Sequence, residues 1–324
     1  MFSTLLNILL LPLSVSAILI AADINSIEHT PHIFAISDHY TGTASLISGG
    51  IASLWSNPNV TLATNAETQA LRQYAQHKNL RIIFTSAETY YHIVANRHAG
   101  IETLEDLKGK RIGVIPGTSA NYFVQKYLGM AGLKEGDYST VAGQICMRAP
   151  CGPGTFPYLF TQERIDAVAM WEPSTELARL ALGVNNTITF TPDESVYREI
   201  VNVHSTVEKL ADPETRKEIV AYVAALIKTH KWFREEPEEV IGKIVTALRI
   251  DRTVLENVWA EHKWRGGLAE GLDEVLIEEE EWVRSFDRRA ATSQEDLAKM
   301  VDRSVLEEAV LMLNFDDCRF ESEP

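Results

Sequence analysis

RIGVIPGTSANYFVQKYLGMAGL, residues 111–133, reads as a strand, a tight turn and a helix in direct succession. Residues 111–115 are apolar and β-branched enough for a short buried strand. Pro116 and Gly117 turn the chain, and Thr118 or Ser119 can cap a helix that carries Tyr122, Phe123, Tyr127 and Leu128. Such a junction presents free backbone N–H groups and the positive end of a helix dipole, a combination that suits a carboxylate, sulfonate or phosphate oxygen. It is not a phosphate-binding loop of the common kinds, because it has no GxGxxG and no lysine after a glycine-rich run. The rest of the chain is arranged around this unit.

Size and charge narrow the field. With 324 residues, 45% of them hydrophobic, the chain can bury a large core and is expected to form two lobes. Its 30 Lys and Arg stand against 45 Asp and Glu, a formal charge of −15. That balance excludes a general nucleic-acid role, which needs a basic footprint. It also disfavours an anionic membrane surface.

Residues 1–22 read as a signal peptide. An apolar run over 5–13 is followed by Val15-Ser16-Ala17, a small–x–small cleavage pattern. Cleavage is expected after Ala17, with Ala21 and Ala22 as alternatives. Uncleaved, the segment to Ala22 would be about long enough for a membrane anchor, which stays open as the second localisation. Export makes two glycosylation sequons meaningful, at Asn59 and Asn185. Cys146 and Cys151 frame a short loop and can close a disulfide there, leaving Cys318 single. The cysteines lack the spacing of a metal site, and no cofactor is expected.

After the leader, residues 32–37 (HIFAIS) read as the first strand, ending in Asp38-His39-Tyr40, and 41–51 as a weak helix or loop. Residues 60–63 are a short strand, with Thr64 and Glu67 forming a capping box for the next helix. Strands are expected at 80–84, 91–95, 139–143, 165–170 and 187–190, with helices between them. From Val196 onward the texture changes, with no strand-like alternation after about Val203 and helices at 213–227, 237–248, 252–264, 272–286 and 294–313. In a two-lobed α/β protein a ligand lies beyond the carboxyl ends of the strands. The residues gathered there are Asp38, His39, Thr64, Asn65, Thr85, Ser86, Gly117, Thr118, Ser119, Trp171 and Glu172. Hydroxyls, amides and an aromatic ring in that list suit binding more than bond-making.

The run GIETLEDLKGKRIGVIPGTSANYFVQKYLGMAGL, followed about fifty residues later by RIDAVAMWEP, resembles the type II periplasmic solute-binding family. The closer resemblance is to its nitrate, taurine and aliphatic-sulfonate branch, which merges with thiamine-pyrimidine-synthesis-like proteins. It implies an α/β fold of two lobes with a helical C-terminal region packed on the first. Lobe I would take 23–97 and 200–324, lobe II 98–199, with the hinge at 93–96 and 197–202. Gly117, Thr118 and Ser119 match residues that hold a ligand's anionic group, and Trp171 and Glu172 a strand end facing the cleft. Asp38 and His39 fall near the first-strand ligand position, although the region before Leu62 is compressed relative to the family.

The expected function is therefore extracytoplasmic binding of a small polar solute, anionic or zwitterionic, without catalysis. The partner would be that solute, the chain a monomer, and, in a bacterium, a component of a membrane transporter. Glu172 keeps a cationic ligand open, unless it only caps the helix beginning near Pro173. Two alternatives stand beside this: a thiamine-pyrimidine-synthesis-like enzyme, and a secreted relative that has lost its ligand. The enzyme would need a cysteine cluster for iron and a suitably placed lysine, and neither pattern is present. A serine hydrolase is excluded by PGTS, which is not GxSxG.

Overall fold

The structure, a computed structural model, describes residues 17–320. The strands are β1 (Ile18–Ala22), β2 (Ala44–Ser48), β3 (Leu62–Ala66), β4 (Leu80–Thr89), β5 (Ile93–Asn96), β6 (Arg111–Gly113), β7 (Ser139–Val141), β8 (Ala167–Val168), β9 (Thr187–Phe190), β10 (Glu199–Thr206) and β11 (His262–Lys263). They form a six-stranded sheet ordered β11-β4-β10-β3-β1-β2 and a five-stranded sheet ordered β7-β6-β8-β5-β9. The chain passes between the sheets at residues 90–92 and again at 191–198. Each sheet has its own apolar core, one built around Phe123, Phe156 and Phe160, the other around Ile20, Leu62, Phe84 and Tyr222. This is the two-lobed mixed α/β architecture of the type II periplasmic-binding fold.

Helices cover the sheets. They are α1 (Thr30–Phe34), α2 (Ser53–Ser56), α3 (Glu67–Gln76), α4 (Ser119–Met130), α5 (Phe156–Thr161), α6 (Ser174–Leu182), α7 (Val207–Ala211), α8 (Pro213–Glu235), α9 (Pro237–Leu248), α10 (Arg252–Val258), α11 (Leu272–Phe286), α12 (Gln294–Ala298) and α13 (Ser304–Phe320). The long α8 starts at Pro213 as expected, with Asp212 capping it through the Thr215 N–H, and buries Ile219, Val220, Val223 and Leu226 against the first sheet. Among the described residues no helix is long and apolar enough to cross a membrane.

The largest correction lies at the N-terminus. Ile18–Ala22 is a strand inside the first sheet, parallel to β2 on one side and to β3 on the other. Ile18, Ile20, Ala21 and Ala22 are all buried. A strand covered on both faces is a continuous apolar run, so its composition matches the end of a leader or a membrane span. Cleavage after Ala21 or Ala22 would remove it, and an anchor reaching Ala22 would compete with it. Residues 1–16, which carry the bulk of the expected leader, lie outside the described residues.

Reading β1 as leader displaced the next elements. Residues 32–37 are not a strand: α1 runs into a wide helical turn over Ala35–His39. Residues 44–48, expected as helix or loop, are the edge strand β2. The first lobe is therefore not compressed, since β1, α1 and β2 supply its opening strand–helix–strand. Thr64 does not cap α3 either, because it is still inside β3 and the cap position is Ala66. Beyond Val203 strand structure continues, since β10 runs on to Thr206 and β11 is a further short strand, and the single helix expected at 294–313 is broken into α12 and α13.

Cys146 and Cys151 are joined in a disulfide with their Cα atoms 5.7 Å apart. Asn59 and Asn185 are both exposed. The side chain of Cys318 lies outside the described ones.

Candidate ligand site between the sheets

Where the carboxyl ends of β1 and β3 face the β6–α4 junction, a cavity of about 410 Å³ opens. Its walls include Asp23, Ser26, Glu28 and His29 from the segment after β1, and Thr64 and Asn65 from β3. Gln69 and Arg72 come from α3, Pro116 to Ser119 from the turn, Trp171 from the end of β8, and Glu199 from β10. The volume suits a molecule of metabolite size.

Six of the residues singled out from the sequence meet here: Thr64, Asn65, Gly117, Thr118, Ser119 and Trp171. Their groups are not all free, however. The Thr118 hydroxyl donates to the Ile115 carbonyl at 2.8 Å, and that of Ser119 to Glu199 Oε1 at 2.6 Å. The Gly117 N–H is taken by Asn121 Oδ1 at 3.0 Å. Thr64 Oγ1 and His29 Nδ1 are 2.6 Å apart. What the junction still offers is the N–H groups of Ser119 and Ala120, since that of Thr118 donates to the Ile115 carbonyl and that of Asn121 to the Thr118 carbonyl.

Five residues are placed elsewhere. Thr85 and Ser86 are not at a strand end, because β4 continues to Thr89. Thr85 donates to Asn202 Oδ1, and Ser86 to the Glu28 carbonyl at 2.8 Å, which steadies the cavity wall from behind. Asp38 pairs with Lys243 at 2.9 Å, and His39 packs edge-on to Trp232. Both were assigned one element too late: the first strand ends at Ala22, so Asp23 and Ser26 hold the positions they were given. Glu172 takes the capping role, accepting from the Glu176 N–H at 2.9 Å. It lines a separate cavity with His92, Arg179 and Glu261, and burial lifts its carboxyl to about 7.

The residues that sequence reasoning missed carry most of the charge. Glu28 is 2% exposed and neither carboxylate oxygen has a hydrogen-bond partner. Burial, and then the charge of Glu199, push it up to about 8. Glu199 is also raised by burial, but it accepts from Ser119 and, at 3.2 Å, from Thr89, which favours its ionised form. Burial lowers His29 to about 4, so it is neutral near pH 7. The cation is Arg72. Its Nε meets both oxygens of Asp287 at 3.1 Å, its Nη1 donates to the Gly117 carbonyl, and its buried Nη2 has no partner. Only a correct reading of β1 would have exposed Glu28, because the loop after a first strand lies at the cleft in this architecture.

Gly117 is held to its residue type twice over. Its φ is +74°, and a Cβ there would come within 2.8 Å of the Phe286 ring and 2.9 Å of Arg72 Nη2. Gly117→Ala should therefore cost about 1–3 kcal/mol in a urea melt and displace the arginine.

These features define a two-lobed binding-fold protein with a polar cleft, and solved structures share the architecture. The alkanesulfonate-binding protein SsuA from Xanthomonas axonopodis pv. citri bound to MOPS superposes with a TM-score of 0.66 at 15% identity, covering 89% of this chain and 98% of that one. The periplasmic aliphatic sulphonate binding protein SsuA from Escherichia coli gives 0.67 at 14% identity, over 89% and 92%. The chain belongs to the family described as NMT1/THI5 like, whose model matches residues 48–240. A protein of Brucella abortus (strain 2308) named "putative binding protein" is 27% identical over 164 residues, 48% of this chain and 46% of its own length. The chain thus spans about half the length of the curated relatives it matches.

Proposed function

We infer that the chain binds a small zwitterionic solute in the cleft between its two sheets, outside the cytoplasm and without turning it over. The observation that carries this reading is a pair of buried, unpartnered groups of opposite type in one cavity, the Glu28 carboxyl and Arg72 Nη2. A group buried without a partner costs free energy that a bound solute recovers. The anionic end would meet Arg72 and the first-turn N–H groups of α4, and the donor-bearing end would meet Glu28 and Glu199. Trp171 would cover the apolar middle with a flat ring. A purely anionic solute fits less well, since the hydroxyls expected to hold it are engaged within the protein.

Among the described residues no cluster of three or more His, Cys, Asp or Glu side chains is placed to hold a metal ion, and Cys146 and Cys151 are joined to each other. The relatives' names support binding in general, and the sulfonate in two of them belongs to those proteins.

Thermal-shift screening against matched panels of zwitterions, anions and cations tests the reading. A zwitterion at about 100 times its Kd should add about 2.7 kcal/mol to the folded state. Arg72→Gln should weaken it. A panel in which no class shifts the melting temperature would remove the binding function.

A further inference from the structure

We propose that the positively charged end of the solute settles between Glu28 and Glu199 in exchange for a proton, so that capture by this chain is proton-linked. The inference rests on the cleft reading and goes further, naming an ammonium-type nitrogen as the recognised group and a proton as the by-product.

The geometry begins with the contrast between the two carboxyls. Both line the same cavity. Glu199, at the start of β10, is held by hydroxyls from the other lobe and from its own sheet: Ser119 reaches Oε1, Thr89 reaches Oε2, and Tyr91 OH stands 3.3 Å from Ser119 Oγ. A carboxylate fed by hydroxyl donors keeps its charge. Glu28 is supported far less: its two oxygens are sealed from solvent and make no well-formed hydrogen bond, and the nearby Ser26 hydroxyl and its own N–H offset only part of the burial that raises it. The carboxyl without a well-formed donor is therefore the one that carries the proton when the cleft is empty.

The other charged groups do not change that assignment. On its own segment Glu28 faces Asp23, which adds negative charge, and His29, which burial keeps neutral. From α3 comes Arg72, already engaged by Asp287 and the Gly117 carbonyl. Tyr91 contributes a phenol whose ionisation is pushed well up by burial. Glu28 has no committed cation.

A solute ammonium entering this space meets one carboxylate and one carboxylic acid. The Glu28 O–H bond breaks, its proton passes to solvent, and the ammonium donates its N–H groups to both carboxylates. The nitrogen stays protonated throughout, and nothing is oxidised or reduced. The free protein holds the Glu28 proton up to about pH 8. Below that pH each bound solute releases about one proton, and affinity rises up to about tenfold per pH unit; above it both effects fade. Such a receptor captures its solute more tightly in neutral surroundings than in acidic ones.

The test uses the full exported chain and three probes with one shared ring: 4-(aminomethyl)benzoate, benzylamine and 4-methylbenzoate. Isothermal titration is run in phosphate and in Tris, whose ionisation heats differ, so proton release appears as a buffer-dependent heat. The two amines should bind with about one proton released near pH 6.5, falling towards none above about pH 8.5. Glu28→Gln should weaken benzylamine at least tenfold at the higher pH and abolish the buffer dependence. Glu172→Gln, which lies in the separate cavity, should change neither. A melting temperature in Glu28→Gln no lower than that of the unaltered chain would establish that the loss is not one of folding, and Glu199→Gln supplies a second variant with the same expected loss of amine affinity. Amine binding whose heat is the same in both buffers would overturn the proposal. Binding of 4-methylbenzoate alone would also overturn it while leaving the cleft reading intact, and failure of all three probes would remove both.

Discussion

A chain that starts at Asp23 should not fold cooperatively, whereas one that starts at Ile18 should. The two differ by β1, whose backbone pairs with β2 over residues 18–22 and with β3 at Ile20 and Ala21. Removing it exposes the apolar surface that covered Ile18 and Ile20, worth about 1.5–3 kcal/mol per side chain. It also strips hydrogen-bond partners from buried backbone groups of two strands, at about 1–3 kcal/mol each where water cannot reach. These losses together reach the whole stability of an ordinary domain, about 5–15 kcal/mol. Near-ultraviolet circular dichroism and urea melts of the two chains decide the matter. Cooperative unfolding of the chain from Asp23 would mean that β1 is dispensable. N-terminal sequencing of native secreted protein is expected to retain Ile18.

The second large effect is expected at Glu67. This carboxyl is fully buried at the start of α3, accepting from Tyr197 OH at 2.8 Å and from the Ile200 N–H at 2.7 Å. It ties α3 to the segment returning from the second sheet. Glu67→Ala would leave both donors unpaired inside the protein and open a cavity, a loss of about 2–5 kcal/mol. Burial, followed by the charge of Glu199, pushes Glu67 up to about 8. An unfolded glutamate ionises near 4.5, so between about pH 4.5 and 8 the folded chain keeps a proton that the unfolded chain has released. Stability from this group is complete below the unfolded value and is lost as pH rises through the folded one. Glu28 has the same sign and adds to the effect. The melting temperature should therefore fall between about pH 5 and 8, and Glu67→Gln should flatten part of that slope. A melting temperature that rises over this interval would refute the assignment.

Some of this was legible without coordinates. The strand–turn–helix at residues 111–130 and the α8 stripe are local features, written by neighbouring residues and recovered within a residue or two. Legibility failed where one composition serves two structures. The run Ile18-Leu19-Ile20-Ala21-Ala22 suits a leader and a buried parallel strand equally well, and only its pairing with residues 44–48 and 62–63 separates them. That single misreading then moved the first-strand site residues from Asp23 and Ser26 to Asp38 and His39.

The sequence by itself determined the two-lobed α/β class, the turn at Gly117 and the family, because each is encoded in contiguous residues. It also placed Trp171 and the Cys146–Cys151 loop. Tertiary structure alone decided the electrostatics of the cleft. Glu28 and Glu199 are 171 positions apart, and their shared burial depends on β1 and β10 lying either side of β3. Whether a hydroxyl is available to a ligand depends likewise on what folds against it: Ser119 is engaged by Glu199 from the other lobe. A side chain's protonation and its freedom to bind are properties of its surroundings, and those surroundings are assembled from distant parts of the chain.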